Sequence, residues 1–433
     1  MKTNKTLLST AVAFGLLSSA NLANAAGFQL AEYSATGLGR AYAGEAAMAD
    51  NASAQWRNPA MLTYLEGTQV SVGAIYVNPN IDVEGEVRHP MLGNTAASSE
   101  DFAHDAIIPN LYISHRYNDQ LAIGFALGTN YGMETDLGKD FAASHFGNEA
   151  SVISKEANLN LAYQLNEQFS IGGGVRYIIA EGSFGATAPE TNILDLPQGA
   201  TLKYMEGDDT AWGWQVGSAW QINENHRVGF TYKSEVELKL EGHAEGVGFG
   251  FGTPINPKSR DNGYMYLTLP ATAELASFHQ LTEKLAMHAS FNWTDWSSFE
   301  KLEAHMETAG TQMVKEEYWE DNYRFAVGAT YQLQPKLALR TGIAYDTSAV
   351  SDKNRTITIP ETDRTWLSVG ATYDWTQNFT LDAGFTYIIA KDAPIKESRG
   401  YESDDKAQAI GGQFVGETTG NVWLIGVQAN YRF

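Results

Sequence analysis

The chain contains no cysteine and far fewer basic than acidic residues, and both shortages narrow its class. Without cysteine, neither a disulfide scaffold nor a cysteine metal site is possible. The 29 lysines and arginines stand against 51 aspartates and glutamates, which gives a formal charge of −22. Because a surface this acidic repels phosphate backbones, we expect no nucleic-acid partner. The 9 histidines show no close metal-ligand spacing, so we also expect no metal and no cofactor.

Long apolar runs are also missing after the N-terminus. Lys2 and Lys5 precede an apolar stretch at residues 7–17, and Ala23-Asn24-Ala25 has the small-x-small form that signal peptidase cleaves. The stretch is well short of the ~20 residues that a spanning helix needs, which argues against a membrane anchor. We therefore predict that residues 1–25 are a signal peptide.

The C-terminal segment, residues 421–433, alternates between two kinds of side chain. Because successive side chains of a strand point to opposite faces, this segment has one apolar face and, Leu424 apart, one polar or small face. Such a strand suits lipid on one side and a wetter interior on the other, as in a transmembrane β-barrel. The apolar face carries Trp423, Ile425, Val427, Ala429, Tyr431 and Phe433.

Similar alternation recurs along most of the chain. Short polar turns follow some runs, and longer connections follow others, notably at residues 183–209, 242–263 and 391–420; these fit periplasmic hairpins and extracellular loops. About fourteen runs can be counted, an even number like that of single-chain bacterial barrels. They begin near Thr68, Asp105, Leu121, Val152, Gln168, Thr210, His226, Tyr264, Lys284, Lys315, Lys336, Ile357, Phe379 and Asn421.

We therefore predict an all-β fold, a transmembrane antiparallel β-barrel of about 14 strands formed by residues 67–433. A soluble β-sandwich is disfavoured, because it would not keep aromatic side chains on one parity through so many strands. Residues 26–66 do not alternate and hold small residues at helix-compatible spacing. They are either a loose periplasmic tail or a small N-terminal helical plug (a hatch). We predict the plug, since the lumen of so many strands is wide enough to need filling.

An ordered set of short motifs runs through the mature chain. It comprises Ala26-Gly27-Phe28-Gln29-Leu30, residues 34–45, Arg57-Asn58-Pro59-Ala60, Asn130-Tyr131-Gly132, Tyr232-Lys233-Ser234-Glu235-Val236, Leu267-Thr268-Leu269-Pro270, and residues 340–346 and 359–364. A lone Asn-Pro-Ala would be chance, but the set as a whole is specific and resembles the FadL/TodX-type outer-membrane long-chain fatty-acid transporters.

The resemblance implies a monomeric barrel in the outer membrane of a Gram-negative bacterium, in contact with membrane lipid and lipopolysaccharide. It also implies that a fatty acid is caught among extracellular loops, passes to a deeper pocket, and leaves sideways at a kink in the third strand. Carried over by motif, Phe28 lies at the deeper pocket, Asn58-Pro59-Ala60 is the hatch segment facing the kink, and Asn130-Tyr131-Gly132 is the kink. Gly128 and Gly132 independently interrupt the alternation there, as glycines do at bulges.

The sequence departs from the family in two places. The connection at residues 183–209 is shorter than the helical loop that family members often carry there, so we expect the first capture groove to be reduced or reshaped. An arginine associated with the family's pocket has no counterpart in Ser183-Phe184-Gly185-Ala186. Head-group binding is therefore rearranged, or the substrate is different.

Four arginines face the lumen by parity, and one of them is a candidate partner for a substrate carboxylate. We expect Arg324 and Arg340 to pair with hatch or wall carboxylates, and we select Lys315 and Arg364 as head-group candidates, because a carboxylate buried without a partner is costly. Lys315 lies in a stretch that resembles the family's pocket-lining segment. Arg176 is the fourth arginine that parity places in the lumen.

The sequence thus predicts passive outer-membrane transport of long-chain fatty acids or similar hydrophobic molecules. One alternative is a transporter of aromatic or other small hydrocarbons, and a second is a general porin, against which the plug argues. A role as adhesin or phage receptor could coexist with transport. A lipase with His288 and Ser290 as base and nucleophile is disfavoured, because parity turns both side chains into the lumen. We therefore predict that the protein is not an enzyme.

Overall fold

The computed structural model describes residues 27–249, 260–398 and 404–433, and the predicted signal peptide lies outside them. Within these residues no helix has the length and apolar character needed to cross a membrane. The described chain consists mainly of long antiparallel strands with a few short helical turns near its N-terminus.

The strands form one closed antiparallel barrel, because the first strand pairs with both the second and the last. Counting strand halves on either side of a break together, there are fourteen in the described residues, which confirms the predicted fold. They are β1 Thr68–His89, β2 Ala106–Arg116, β3 Leu121–Gly128 with Gly132–Asp136, β4 Glu149–Gln164, β5 Phe169–Thr187, β6 Thr201–Asn223, β7 His226–Lys233 with Val236–Glu245, β8 Arg260–Leu269 with Thr272–Gln280, β9 Leu285–Thr294 with Lys301–Met306, β10 Gly310–Glu316 with Asn322–Gln334, β11 Leu337–Asp346, β12 Arg364–Asp374, β13 Phe379–Ala390 and β14 Gln413–Arg432.

The two faces of the strands differ as the alternation predicts. In β10, Phe325 and Val327 are exposed on the outer face, whereas Arg324 and Ala326 are buried toward the lumen. In β14, Ile425 and the other odd-numbered residues up to Phe433 lie on the outer face, from which lipid removes water in the membrane. The predicted register of both strands is confirmed.

Residues 27–66 fill the lumen as the predicted plug, which we call the hatch. It contains two one-turn helices, α1 Ala35–Leu38 and α2 Ala54–Arg57, and two 3-10 turns, Glu45–Ala47 and Pro59–Tyr64. The hydroxyl of Ser34 accepts a hydrogen bond from the Gly37 amide at 3.2 Å and so caps α1. The wall allows close approach through glycines: a Cβ at Gly342 would lie 2.1 Å from the Arg40 carbonyl oxygen.

Buried ion pairs order the hatch and attach it to the wall. Within the hatch, Arg40 pairs with Glu45 at 2.6 Å and with Asp50 at 2.7 Å. Arg340 of β11 pairs with Asp382 at 3.5 Å and reaches Asp50 at 3.9 Å, as expected for this arginine. Each charge is thereby compensated inside the lumen, where an unpaired charge would be costly.

Arg324 deviates from the expected carboxylate pairing. Its guanidinium donates to the hatch carbonyl of Ala41 at 2.7 Å and lies 4.8 Å from the centroid of the Trp366 ring. It still joins wall and hatch, but through a backbone acceptor and an aromatic face.

Several predicted boundaries were wrong at the extracellular end. Strand β12 begins at Arg364, because Ile357 lies in a loop that folds inward and buries it. The strands also extend further than predicted, so the β5–β6 connection is only residues 188–200. The β13–β14 connection contains a short strand, Ala393–Glu397, and a helix, α3 Asp404–Gly411. The β1–β2 connection contains another short strand, Gly93–Ser99, which pairs with β1. Cross-strand pairing above the membrane explains these extensions, since it does not require outward apolar side chains.

The barrel wall is interrupted in more places than the single predicted kink. Strand β3 breaks at residues 129–131, and β7, β8, β9 and β10 break side by side. Their periplasmic halves end at mutually paired residues, namely Lys233, Thr272, Thr294 and Asn322. The breaks in these four strands therefore lie at one level of the wall, and part of the chain between the strand halves turns into the lumen.

Candidate transport site

The break in β3 is covered by the first residues of the hatch. Leu30 donates its amide to the Asn130 carbonyl at 2.7 Å, and Gly132 donates to the Phe28 carbonyl at 2.7 Å. Gln29 and Tyr131 form an antiparallel bridge between these two bonds. The N-terminal segment thus supplies the strand pairing that the break removes, which leaves these buried backbone groups satisfied.

Phe28 lies in a cage of aromatic side chains contributed by the broken strands. Its ring centroid is 4.6 Å from that of Trp296, and Phe299 and Trp319 each lie at 5.9 Å. These three residues belong to the breaks of β9 and β10. Gly27 precedes Phe28 with a φ of 62°, and a Cβ there would lie 2.6 Å from both indoles, so the turn into the cage requires glycine.

An apolar cavity of about 90 Å³ adjoins the aromatic cage. Phe28 lines it, and Lys315 stands on its wall beside Glu317. The Lys315 ammonium donates to the Thr356 hydroxyl at 2.8 Å and lies 3.6 Å from a Glu317 carboxylate oxygen. Apolar side chains form most of the remaining lining, including Met133, Leu240, Leu267, Phe299, Met306 and Val314. The structure therefore brings together two of the predicted substrate residues, Phe28 and Lys315.

Arg364, the third predicted substrate residue, lies elsewhere. Its guanidinium is 3.3 Å from Glu361 and 3.8 Å from Asp346, so two carboxylates bracket it. Glu361 also accepts a hydrogen bond from the Ala349 amide at 2.9 Å and thereby orders the β11–β12 loop. Burial raises the pKa of Glu361 to about 7, while Arg364 opposes this shift. We interpret Arg364 as a residue that fixes this loop.

The hatch segment Asn58-Pro59-Ala60 faces β5 and β6, whereas the motif resemblance predicted that it faces the kink. Asn58 donates to the Ala46 carbonyl at 2.6 Å and to the Ser218 carbonyl of β6 at 3.0 Å. Gly172 of β5 packs on Pro59 and Ala60, where a Cβ would lie 2.5 Å from the Ala60 nitrogen. The segment holds the hatch against the wall beyond the break.

A charged group beside the break was missed from the sequence. Arg176 of β5 binds Glu156 of β4 through two contacts, at 2.8 and 2.9 Å. Asn130 donates to the same carboxylate at 2.6 Å, which ties the break to this ion pair. Parity placed Arg176 in the lumen, but its partner could be found only from the β4–β5 register.

A second cavity, of about 330 Å³, opens at the extracellular end. The β5–β6 connection contributes the exposed apolar side chains Ile193 and Leu194 to its rim. Helix α3 forms another side, because His89 Nε2 donates to the Ile410 carbonyl at 3.1 Å and His145 Nε2 to the Gly411 carbonyl at 2.7 Å. Both acceptors are at the C-terminal end of α3. The shortened β5–β6 connection therefore still borders an apolar groove.

His288 and Ser290 face the lumen as predicted and bind different partners. The His288 ring nitrogen Nε2 is 2.9 Å from the Thr330 hydroxyl, and Ser290 donates to the hatch carbonyl of Tyr42 at 3.5 Å. Among the residues that the structure describes, no group of three or more histidine, aspartate and glutamate side chains is arranged to hold a metal ion.

A closed membrane barrel, a hatch in its lumen and an apolar cavity behind a covered strand break define an outer-membrane transport protein. Residues 16–433 match the family described as outer membrane protein transport protein (OMPP1/FadL/TodX). The chain belongs to this family, whose members are transporters and not enzymes. It is therefore a multi-pass protein of the Gram-negative outer membrane, as predicted.

Relatives and solved structures agree over almost the full length. The chain is 35% identical over 470 residues to outer membrane protein P1 of Haemophilus influenzae, covering 100% of both. It is 32% identical over 462 residues to the long-chain fatty acid transport protein of Escherichia coli, covering 100% of this chain and 99% of the relative.

Two solved structures share the fold at lower identity. The crystal structure of a Pseudomonas aeruginosa FadL homologue covers 94% of this chain and 100% of its own, with a TM-score of 0.82 and 22% identity. The toluene transporter TodX of Pseudomonas putida covers the same shares with a TM-score of 0.68 and 16% identity.

Proposed function

We propose that this protein carries long-chain fatty acids passively across the outer membrane and releases them sideways through the break in β3. The observation that carries the proposal is the pairing of Phe28 and Lys315 in one cavity, because a fatty acid needs an apolar pocket and a partner for its carboxylate. The Escherichia coli relative named as a long-chain fatty acid transport protein, at 32% identity, supports this substrate class.

The acyl tail supplies most of the binding free energy in this scheme. Leu240, Leu267 and Met306 offer apolar surface, and each buried CH₂ contributes ~0.8 kcal/mol. Phe28 ends the cavity against the aromatic cage. The tail therefore approaches the segment that covers the β3 break.

The carboxylate binds Lys315 in this scheme. The 3.6 Å separation between Lys315 and Glu317 is long compared with a charge-assisted hydrogen bond of about 2.7–2.9 Å. A substrate carboxylate can thus compete for the ammonium without breaking a close pair. A transporter for toluene-like hydrocarbons has no use for a cation at this position, and a general porin has no use for a hatch.

Capture and release lie at the two ends of the path. The extracellular groove beneath α3 is the capture site, since Leu194 and Ile410 expose apolar surface there. Displacement of residues 28–30 from the β3 break opens the way to the membrane. Asn130, Tyr131 and Gly132 form the edge of that opening.

The test compares a fatty acid with its matching alcohol on purified protein. Lys315→Met should weaken oleate binding roughly tenfold, the loss of one charge-assisted hydrogen bond, and leave oleyl alcohol binding unchanged. Lys336→Met, in an exposed periplasmic turn, is the control and should alter neither. Oleate should also support growth of a deletion strain only when the protein is restored. Equal wild-type affinity for acid and alcohol would remove the cationic site and favour a hydrocarbon transporter.

A further inference from the structure

Lys233 is a buried lysine with no close counter-ion. Only 5% of the residue is exposed, and its ammonium lies in the lumen at the end of the periplasmic half of β7. Its contacts are the Asn130 side-chain oxygen at 3.4 Å and the Trp56 ring, whose centroid is 4.8 Å away. Within residues 27–249, 260–398 and 404–433, it forms no ion pair with a carboxylate.

The neighbouring charges pair with each other and leave Lys233 without a counter-ion. Arg176 and Glu156 neutralise each other through their two contacts, and Asn130 donates its amide to Glu156. That bond orients the Asn130 oxygen toward the lysine. Burying an ammonium with one neutral acceptor at 3.4 Å and one aromatic face is unfavourable, and an anion at this position would offset that cost.

An unpaired amide beside the cluster of Lys233, Asn130, Arg176 and Glu156 supplies a second polar group. Asn158 of β4 is fully buried and lies opposite Arg176 in the sheet. Among the described residues, neither its side-chain nitrogen nor its oxygen has a hydrogen-bond partner. An N–H donor and an ammonium on the same lumen wall are groups that a carboxylate recognises.

The position of this cluster connects the cavity with the opening. Asn130, which contacts Lys233, is a residue of the β3 break, and its neighbour Tyr131 packs 6.1 Å from the Phe28 ring. Tyr131 also donates its hydroxyl across the lumen to the Pro270 carbonyl at 2.8 Å. A substrate that leaves the Phe28 cavity through the break must pass Tyr131 and Asn130, within reach of the Lys233 ammonium.

We infer that Lys233 is a second carboxylate-binding residue, which receives the fatty-acid head group from Lys315 during lateral release. The inference rests on the proposed function and adds a specificity determinant to the exit. The alternative is that the lysine only supports Trp56 of the hatch. The two roles differ in one respect: head-group binding acts on acids alone, whereas support of the hatch affects every substrate.

The test measures transfer through purified protein in lipid vesicles, with oleate and oleyl alcohol as matched substrates. Lys233→Met keeps the apolar length of the side chain and removes the charge. We expect oleate transfer to fall about tenfold, alcohol transfer to stay within about twofold, and oleate affinity at the Lys315 cavity to be unchanged. Lys233→Arg should restore oleate transfer. Lys239→Met is the control on the same strand, since this half-exposed lysine faces outward and pairs with Glu241.

Each remaining outcome counts against the inference. An equal loss of acid and alcohol transfer, or a variant that no longer shifts on gels after heating, would assign Lys233 to hatch support. Unchanged oleate transfer would leave it without a role. A wild-type protein that binds oleate in the cavity but transfers none would overturn lateral release itself, which distinguishes failure of the proposed function from failure of this inference.

Discussion

Arginine at Val327 should destabilise the barrel by about 2–4 kcal/mol, the cost of a charge on the lipid face near the bilayer midplane. Val327 lies on the outer face of β10, between its cross-strand partners Ala289 and Ile343. Leu333→Arg is the matched control, because the two residues share a strand and a face and have similar exposures of 48% and 43%.

Depth alone separates the two positions. Six residues at about 3.3 Å each span roughly 20 Å along the strand, or about 14 Å of depth at a tilt near 45°. That distance exceeds half of an apolar band about 25 Å tall, so Leu333 lies at the periplasmic interface, where arginine costs about 0–1 kcal/mol.

Reversible urea unfolding in lipid vesicles, followed by tryptophan fluorescence, measures the difference. Val327→Arg should shift the folding equilibrium by about 30-fold to 1,000-fold, and Leu333→Arg by no more than about fivefold. Equal destabilisation at the two sites would refute the assigned depth. No destabilisation at either site would refute the lipid-facing register of β10.

Three further predictions follow from hatch and loop contacts. Gly342→Ala should lower the yield of heat-modifiable barrel, since its Cβ would meet the Arg40 carbonyl, whereas Gly173→Ala, with its nearest neighbour at 3.5 Å, should not. Asn58→Ala removes one bond within the hatch and one that attaches the hatch to β6, and it should reduce oleate uptake in cells without loss of folded barrel. The raised pKa of Glu361 favours its neutral form in the folded loop, so loop stability should fall as pH rises from about 4.5 to about 7. Hydrogen exchange in residues 347–363 should show this fall, and Glu361→Gln should abolish it.

The register of single strands could be predicted from the sequence, but their lumenal contacts could not. Parity in β10 assigns Gly328 to the lumen correctly, and from parity alone arginine would be tolerated there. The structure places the Arg40 carbonyl 3.0 Å from a Cβ at this position, so the hatch occupies the space that the side chain would need. That contact joins residues far apart in sequence and has no local signal.

The head-group candidates illustrate the same distinction. Lys315 and Arg364 are both lumenal cations by sequence, yet the folded β11–β12 loop presents Glu361 to Arg364 and leaves Lys315 on the cavity wall. Lys233 belongs to the motif at residues 232–236, but its role could not be predicted from the sequence. Its lack of a counter-ion depends on how Glu156 and Arg176 pair on neighbouring strands.

The sequence by itself determined the membrane barrel, because lipid outside and a wetter lumen inside impose a period-two pattern that each strand carries locally. It also determined the presence of a plug and of glycines that interrupt β3. Tertiary structure alone decided that four further strands break together and that Phe28 meets Trp296 and Trp319. Such contacts depend on the summed register of many strands and on loops that turn inward, and no neighbouring residues in the chain encode them.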